Sequence, residues 1–503
     1  MSAKSIEIRS GRVIDPASQF DEAASVFIAD GKIVGIGQTP AGFKADQVID
    51  AQGLVVAPGL VDLSARIAGN IDAELAAAVA GGVTTLACPP DVDPILDEPE
   101  LAERLVRHAE DVSQVRVLPV GAMTQGLAGS MLAEMSLLRD AGCIAVSQGR
   151  GLPPDTRVLW RALQYAASCD VPVWLQPAEY HLSKEGIAHD SALASRLGLA
   201  AIPVAAETLA MQTVLALAKA TGARVHFTQI SSAEGVALLR AAQDDGLPVT
   251  GDVAVHALHL YEQDIGYFDP LTRFDPPLRG FGDREALRLG LAEGTIGAAV
   301  SAHTPLGLDV KRVPFAEAVP GATGIELLLP LTLAWGEALS LPLRRSLLPV
   351  TARAAEILGI TVEYNGIGDL QQWRAHNKAQ QDERAKLYQA AEQCAAAFHK
   401  KLLEKPADRY DIAGRQYLAD TVGAFRLGLY DVPPAKADLA KRVGATLMRD
   451  RVIFPLLDAA GRVVGFSGRV TGKASKDAPK YINSPGPKDG EIGIYEKSET
   501  LFG

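Results

Sequence analysis

The sequence has few cysteines and no long apolar run, and these two features argue against several classes of protein. Its cysteines, Cys88, Cys143, Cys169 and Cys394, lie far apart and form no CxxC pair, which argues against a zinc ribbon or a disulfide framework. No apolar run reaches the roughly 18 to 20 residues that cross a bilayer, and the N-terminus MSAKSIEIRS lacks the apolar core of a signal peptide. We therefore expect a soluble cytoplasmic protein without membrane contact.

The remaining composition is that of a globular protein, but its charge is unevenly distributed. Hydrophobic residues make up 48% of the 503 positions and charged residues 22%, and this length predicts two or three domains. The formal net charge is −11. Residues 371–503 contain 22 Lys and Arg against 16 Asp and Glu, a net charge of +6, which leaves −17 for residues 1–370. This difference indicates that the two parts contact different partners.

Two kinds of periodicity divide residues 1–365. Residues 5–50 alternate apolar and polar positions in short runs, with Asp30-Gly31 as a hairpin turn, and predict a small β-layer over residues 1–53. From Leu54 onward, strand-like apolar runs alternate with Ala- and Leu-rich helical runs, which is typical of a parallel sheet. The eight strand-like runs are VVAPGLVDL, VTTLACP, VRVLPVGA, CIAVSQ, VPVWLQP, ARVHFTQI, PVTGDVAV and IGAAVSAHTP. They predict an α/β fold with a TIM-type (β/α)8 barrel over residues 54–365.

A third pattern begins near residues 360–370 and predicts a smaller α+β segment over residues 370–503. Residues 378–404 are polar and helix-favouring, with apolar positions at helical spacing, namely Leu387, Ala391, Cys394, Phe398 and Leu402. Two strand-like runs follow, RDRVIFPLLD and GRVVGFSGRV. The sequence from Thr471 is rich in Gly, Pro, Lys and Ser, and this composition predicts a loop.

Six segments in one colinear order, within residues 5–360, resemble dihydroorotase: VVAPGLVDL, GGVTTLACPPD, GAMTQGL, HFTQISS, DPPLRG and GIELLLPLTL. Dihydroorotases interconvert carbamoyl aspartate and dihydroorotate at zinc held by the carboxyl ends of the barrel strands. The resemblance implies an HxH pair after strand 1, one His after each of strands 5 and 6, and an Asp after strand 8. It also implies a carboxylate or carboxylated lysine after strand 4. Zinc lowers the pKa of bound water so that hydroxide attacks an amide, and the Asp accepts the proton.

The positions that match these groups hold other residue types in this sequence. Ser64 and Arg66 occupy the HxH positions, and Gln176 and Gln229 occupy the two single-His positions. The other replaced positions are Pro90 and Asp275, where the family has Asn residues that bind substrate, Gln148 in the turn after strand 4, and Ala302 at the Asp position. Neutral amides are poor zinc ligands, and the positive charge of Arg66 opposes a divalent cation. We therefore expect no metal, no cofactor and no catalytic residue.

The remaining polar residues do not indicate a replacement site. The candidate histidines are His181, His189, His226, His256, His259 and His303. His256 and His259 lie three residues apart, and the sequence indicates no acidic partner for them, so we interpret the histidines as core or surface residues. Asp91 and Asp93 are interpreted as part of a solvated loop rather than as a catalytic pair.

Some bacteria have a non-catalytic dihydroorotase-like chain that assembles with aspartate transcarbamoylase. The resemblance implies the same structural role for this chain, as an oligomeric pseudoenzyme linked to pyrimidine biosynthesis. One alternative is an active amidohydrolase with a relocated site that uses His256 or His303. A second alternative, a nucleic-acid-binding protein, comes from the C-terminal segment.

Residues 378–503 resemble part of the polymerase domain of bacterial DNA primase. The most specific matching segments are RDRVIFPLLDAAGRVVGFSGRV, APKYINSP and YEKSETLFG. The resemblance includes neither a Cys/His zinc module nor the acidic metal-binding motifs, so we expect no nucleotidyl transfer. Single-strand binding would use contacts to phosphates by basic residues, and the candidates are Arg449, Arg451, Arg462, Arg469 and Lys480. A basic solvated surface without a nucleic-acid role is the competing interpretation.

Overall fold

The computed structural model divides the chain into two compact units, Met1–Ile367 and Gly368–Gly503. The residues that it describes are 5–67, 69–360, 370–404, 409–412, 415–424, 426–429, 441, 451–457, 463–470 and 481–483. Within these residues, no helix is both long and apolar enough to cross a bilayer. The two units are described separately below.

A small sheet opens the first unit. Its strands are β1 (Ile6–Asp15), β2 (Phe20–Ala29), β3 (Lys32–Ile36), β4 (Gln47–Asp50) and β5 (Val55–Val56). The strand order is β3-β2-β1-β4, and β5 also pairs with β1. Asp30 and Gly31 both have positive φ, 51° and 71°, between the antiparallel β2 and β3. Because two-residue hairpins favour turns with positive φ at both positions, the predicted hairpin at Asp30-Gly31 is confirmed.

Eight parallel strands form the barrel. They are β6 (Leu60–Asp62), β7 (Val83–Cys88), β8 (Arg116–Ala122), β9 (Ala145–Ser147), β10 (Val173–Leu175), β13 (Val225–Phe227), β14 (Val249–Ala254) and β15 (Ala298–Val300). Each lies within one of the eight predicted runs, and the order in the sheet is the order in the chain, so the predicted barrel is confirmed. The first and last strands approach each other at their carboxyl ends, where Ala65 and His303 form a parallel bridge.

Helices surround the strands and a short excursion follows β10. The helices are α1 (Ile71–Ala80), α2 (Pro99–Val112), α3 (Met135–Asp140), α4 (Thr156–Ser168), α7 (Val204–Thr221), α8 (Ala233–Asp244), α9 (Phe281–Glu293), α10 (Leu328–Ala338), α11 (Leu343–Leu347) and α12 (Ala352–Ile357). The excursion comprises α5 (Tyr180–Ser183), β11 (Ala188–His189), α6 (Ala192–Leu197) and β12 (Ala201–Ile202). In α2 the buried residues Ala102, Leu105 and Ala109 recur at helical spacing and face the barrel.

The barrel interior is lined mainly by small residues. Its buried cluster includes Val61, Leu63, Ala87, Val120, Ala145, Ala254, Ala298 and Val300. The indole of Trp174 on β10, which is 4% exposed, belongs to the same cluster. Because TIM barrels are filled by side chains rather than open, one large aromatic compensates for the many alanines.

The second unit is a helix followed by short strands. Its elements are α13 (Leu370–Leu403), β16 (Arg409–Ile412), β17 (Arg415–Leu418), α14 (Ala419–Ala424), β18 (Gly428–Leu429), β19 (Arg451–Leu457), β20 (Val463–Val470) and β21 (Tyr481–Asn483). The five residues predicted to form the apolar face of the helix are all buried, against β19 and β20 or in an adjoining cluster, so that prediction is confirmed. The predicted loop from Thr471 is wrong at Tyr481–Asn483, which pairs with β20, and the other residues of that segment lie outside the described residues.

Candidate functional site

The replaced positions lie at the carboxyl ends of the barrel strands, which we call the barrel mouth. Ser64 and Arg66 follow β6, Gln176 follows β10 and Gln229 follows β13. All four side chains line one cavity, together with Leu63, Pro89, Val120, Ser147, Gly149, Trp174 and Thr228. The structure thus brings together the residues that occupy the four predicted His positions. The cavity volume is about 20 Å³, which is room for about one water molecule.

Arg66 is the only charged residue of these four, and a carboxylate neutralises it. Its guanidinium donates to Asp91 at two points, with Nε–Oδ1 and Nη2–Oδ2 distances of 3.1 and 2.8 Å. The two side chains are only 9% and 18% exposed. The interpretation of Asp91 as part of a solvated loop is therefore wrong, because the segment after β7 turns its carboxylate inward to Arg66. Asp93 is exposed as predicted.

The ion pair continues across the mouth as a chain of polar contacts. Arg150 lies 3.6 Å from the carboxylate of Asp91 and 3.8 Å from that of Asp275. Gln176 Nε2 donates to the other oxygen of Asp275 at 3.0 Å. Opposite charges therefore alternate from Arg66 to Asp275, and the segments after β6, β7, β9, β10 and β14 are linked by side-chain contacts.

The other replaced positions contribute less to the mouth. Gln148 turns away from the cavity, accepting from Thr124 Oγ1 at 2.9 Å and donating to the Leu127 carbonyl at 2.8 Å. Pro90 and Ala302 are buried and do not line the cavity. Ala302 and Gln229 have φ of 50° and 53°. Since residues other than glycine rarely adopt this left-handed conformation, the backbone is strained at two of the replaced positions.

Beneath the mouth, the barrel contains two buried acids that the sequence analysis did not identify. Asp252 Oδ2 lies 2.9 Å from His226 Nε2, and its Oδ1 accepts the Gln229 backbone N–H at 2.7 Å. Asp62 Oδ1 accepts the backbone N–H groups of Ser64 and Ser301 at 3.2 and 3.1 Å. Burial raises the pKa of Asp62 to about 6, against the lowering effect of its hydrogen bonds.

The second carboxylate oxygen of Asp62, Oδ2, is buried and has no hydrogen-bond partner among the residues that the structure describes. The sequence does contain a signal that could have identified these two residues, namely an acidic residue inside an otherwise apolar strand. This is Asp62 in GLVDL and Asp252 in TGDVAV. A third buried acid, Glu207 on α7, accepts the backbone N–H groups of Ser231 and Ser232 at 2.9 and 3.0 Å and so fixes the segment after Gln229.

The histidines near the mouth have other partners. His303 Nε2 lies 2.7 Å from the Glu74 carboxylate, while its Nδ1 accepts the Gly324 backbone N–H at 3.0 Å. Both ring nitrogens are thus used, with the proton on Nε2. His256 stacks on Phe274 with ring centroids 4.0 Å apart, and burial lowers its pKa to about 4. His259 Nε2 is 2.9 Å from the Leu331 carbonyl. In the described part of the chain, no three His, Cys, Asp or Glu residues are grouped to hold a metal.

Comparison with known proteins identifies the first unit. Residues 53–235 match the family model described as "Dihydro-orotase-like". A "Dihydroorotase-like protein" of Pseudomonas aeruginosa is 45% identical over 335 residues, which covers 65% of this chain and 79% of that protein. A "Dihydroorotase" of Solibacter usitatus is 38% identical over 336 residues, covering 65% of this chain and 78% of the relative. The chain belongs to the dihydroorotase-like family.

Solved structures support the fold of this dihydroorotase-like chain. The L-hydantoinase (dihydropyrimidinase) from Arthrobacter aurescens superposes with a TM-score of 0.63 at 22% identity, over 73% of this chain and 84% of that one. At this identity the likeness concerns the amidohydrolase barrel alone. Residues 435–503, which lie in the second unit, match the model described as "DNA primase catalytic core, N-terminal domain".

The mouth residues of this dihydroorotase-like chain do not fit the zinc that the family implies. Zinc sites use imidazole, thiolate or carboxylate donors. Here the corresponding positions have a hydroxyl, a guanidinium and two amides, and the carboxylate of Asp91 already binds Arg66. A divalent cation beside Arg66 would be repelled at close range. The side chains at these four positions therefore do not form a zinc site of the kind that the family uses.

Two of the predicted nucleic-acid contacts are buried within the second unit. Arg451 and Arg469 are 7% and 8% exposed, and Arg451 Nη1 donates to the Gly468 carbonyl at 3.1 Å. Both lie on paired strands of a hairpin, so their side chains pack within the unit, and the prediction that these two contact a phosphate backbone is contradicted by their burial. Arg449, Arg462 and Lys480 lie outside the described residues.

Proposed function

We propose that this chain is a non-catalytic dihydroorotase-like protein that acts as a structural partner of aspartate transcarbamoylase in pyrimidine biosynthesis. The observation that carries the proposal is the ion pair between Arg66 and Asp91, because the family resemblance implies a zinc-binding His at the position of Arg66. The relatives support the family, and the name "Dihydroorotase-like protein" belongs to the Pseudomonas chains themselves. The role as a partner of aspartate transcarbamoylase rests on the resemblance set out above.

Two features of the barrel mouth support the absence of hydrolysis. The first is the donor set, in which Gln176 and Gln229 offer neutral amide groups and Arg66 a fixed positive charge. The second is space, because the cavity that these residues line is about 20 Å³. A substrate pocket is typically about 300 to 1,000 Å³. The indole of Trp174 and the side chain of Arg66 both line this small cavity.

The absence of catalysis is tested on purified full-length chain. We expect no stoichiometric zinc by elemental analysis and no conversion of either carbamoyl aspartate or dihydroorotate. The matched control is an active dihydroorotase prepared in the same buffers. Zinc near one ion per chain, together with turnover that is lost on chelation, would contradict the proposal.

The partnership is tested by mixing the full chain with the aspartate transcarbamoylase catalytic chain of the same organism. We expect a complex of defined mass by light scattering after gel filtration, and a stoichiometry that is independent of substrate. Separate elution of the two proteins at micromolar concentration would refute the proposed partnership. It would not bear on the absence of catalysis, which the zinc and turnover measurements test.

The two alternatives lack a comparable observation. A relocated amidohydrolase site at His303 conflicts with the engagement of both of its ring nitrogens by Glu74 and Gly324. The alternative predicts that His303→Ala or His256→Ala abolishes an activity found by substrate screening. A nucleic-acid role predicts salt-sensitive binding of single-stranded DNA by the full chain, and the burial of Arg451 and Arg469 weakens it.

A further inference from the structure

One edge of the small sheet in the first unit is apolar and open. Of the strands that the structure describes, only β1 pairs with β4 (Gln47–Asp50), which ends the strand order β3-β2-β1-β4. All four residues of β4 are exposed, and Val48 and Ile49 are 46% and 41% exposed. β5 continues the same edge, where Leu54 and Val55 are 61% and 47% exposed. An exposed apolar strand edge pairs with another strand unless something prevents it.

The features that usually protect an edge strand are missing from β4. Edge strands are commonly protected by lysine, by proline or by a bulge. Residues 47–56 contain no lysine, arginine or proline, and Asp50 is their single charged residue. The register of β4 on β1 is continuous. The opposite edge, β3, begins with Lys32 and has a register shift against β2. Of the two edges, β4 is therefore the one suited to pairing.

The hydrogen bonds of β4 to β1 determine which of its backbone groups face outward. The Gln47 N–H donates to the Ser5 carbonyl at 3.1 Å, and the Ala51 N–H donates to a carbonyl of β1 at 2.9 Å. In a parallel pair, alternate residues of a strand bond to the same neighbour. The N–H and C=O groups of the residues between them in this alternation, Val48 and Asp50, therefore point to the open side.

These outward groups fit a second copy of the same strand. In an antiparallel pair, two facing residues exchange both of their backbone hydrogen bonds, and the next two facing residues make none but bring their side chains closest. A twofold axis through Ile49 places Val48 opposite Asp50 of the second copy, and Asp50 opposite Val48 of that copy. Four backbone hydrogen bonds then form. The two Ile49 side chains face each other at the axis, which removes apolar surface from water.

The charges favour this register over its neighbours. An axis at Val48 brings Asp46 opposite Asp50 of the second copy, and an axis at Asp50 brings that residue opposite itself. Like charges directly opposite on paired strands are unfavourable. An axis at Val48 also loses hydrogen bonds, because the Asp46 N–H already donates to the Ser5 carbonyl at 2.9 Å. Only an axis at Ile49, among these three, combines full backbone pairing with no acid facing an acid.

We propose that β4 pairs antiparallel with β4 of a second copy of this chain, with the twofold axis at Ile49, so that two small sheets join into one. A nucleic acid or an anionic surface is disfavoured, because the single charge on this edge is acidic and residues 1–370 have a net charge of −17. A twofold contact is self-complementary and closes, so it gives a dimer rather than a fibre. The contact goes beyond the proposed function, because it involves no aspartate transcarbamoylase.

The first test measures the mass of the full-length chain by sedimentation over a range of micromolar concentrations. The variant is Ile49→Lys, which places two ammonium groups opposite each other at the axis. The control is Ile33→Lys on the opposite edge, where Ile33 is 53% exposed. We expect a concentration-dependent dimer for the wild type and the control, and a dissociation constant at least about tenfold larger for Ile49→Lys. Circular dichroism checks that both variants are folded.

A mixture of two variants tests the register itself. Ile49→Glu should weaken the dimer as Ile49→Lys does, because like charges again face each other. Mixed in equal amounts, the two variants should dimerise, because Lys then faces Glu at the axis. A lysine that had only damaged the fold would not be rescued in this way. A mixture that stays monomeric overturns the register.

Hydrogen exchange of the wild type needs no substitution. We expect the amides of Val48 and Asp50 to be protected at high protein concentration and to exchange faster on dilution. A chain that is monomeric at every concentration overturns the proposal, and protection of these amides in that monomer would assign the edge to a segment of the chain itself. A dimer that Ile49→Lys leaves intact, or that Ile33→Lys dissociates instead, places the contact elsewhere and also overturns the proposal.

Discussion

Arg66 and Asp91 face each other across the barrel mouth in a two-point ion pair, with Nε–Oδ1 and Nη2–Oδ2 distances of 3.1 and 2.8 Å. The residues lie on segments that follow neighbouring strands, β6 and β7. The pair places a fixed cation at the carboxyl end of the barrel and consumes the carboxylate nearest to it. It therefore cross-links two loops, and the Asp91 carboxylate is not available to coordinate a divalent cation while it binds Arg66.

Removal of one partner should destabilise the barrel because the other charge is left largely buried. We expect Asp91→Asn to lower the free energy of unfolding by about 2 kcal/mol, less than a fully buried pair because Asp91 is partly exposed. Urea unfolding followed by near-UV circular dichroism measures this change. The control is Glu293→Gln in the pair Arg240–Glu293, whose side chains are 48% and 39% exposed, with an expected loss below about 1 kcal/mol. If the two variants lost the same free energy of unfolding, the Arg66–Asp91 pair would contribute no more to stability than an exposed ion pair.

The barrel should accept zinc if the replaced donors are supplied again. We expect the combined variant Ser64→His, Arg66→His, Gln176→His, Gln229→His and Ala302→Asp to retain zinc after dialysis, since imidazole and carboxylate donors then replace a hydroxyl, a cation and two amides. Elemental analysis of the purified protein provides the measurement, and the parent chain carrying Gln148→His alone is the control. A combined variant that folds but holds no more zinc than this control would contradict the assignment of these positions.

The barrel was predictable because its signals are local. Each of the eight strands is a short apolar run. Among the helices, α2 and α4 have buried apolar residues at helical spacing, and α1 and α7 are rich in Ala along their length. The sequence signal is weaker for α3, which is only six residues long, and for α9, which contains Gly282 and Gly290. Short length and glycine both weaken the helical signal. The excursion from α5 to β12 was missed, because its elements have two to six residues.

The composition of the mouth was predictable, but its contacts were not. Strand order placed Ser64, Arg66, Gln176 and Gln229 at one end of the barrel, and these four share one cavity. The pairing of Arg66 with Asp91 depends on how the segment after β7 turns, which has no periodic signal. The inward orientation of Trp174 was not visible either, because a strand buried on both faces is apolar at every position.

The packing of the barrel interior should depend strongly on the Trp174 side chain. Its indole is 4% exposed and contacts the His226 ring with centroids 4.8 Å apart. We expect Trp174→Ala to lower the free energy of unfolding by about 3 to 5 kcal/mol, since the surrounding Ala and Val side chains cannot collapse into the space. Urea unfolding again serves as the measurement. Trp160→Ala is the matched control, because Trp160 is 41% exposed, and its cost should be below about 1 kcal/mol. If Trp174→Ala lowered the free energy of unfolding only slightly, the neighbouring side chains would have to move into the space left by the indole, contrary to this prediction.

Asp62 should make the stability of the first unit depend on pH. Burial raises its pKa to about 6 in the folded chain, against about 3.9 for an unperturbed Asp, so the folded state holds the proton more tightly than the unfolded one. The contribution of the protonated form is therefore complete below about pH 4 and is lost as the pH rises through about 6, a change of about 3 kcal/mol. Asn does not titrate, so we expect Asp62→Asn to become more stable relative to the wild type as the pH rises from 4 to 8. Unfolding by urea at several pH values measures the difference, with the exposed Asp93→Asn as control. If the two variants give parallel pH profiles, Asp62 is ionised in the folded protein, and its unpartnered oxygen must then be stabilised as a charge.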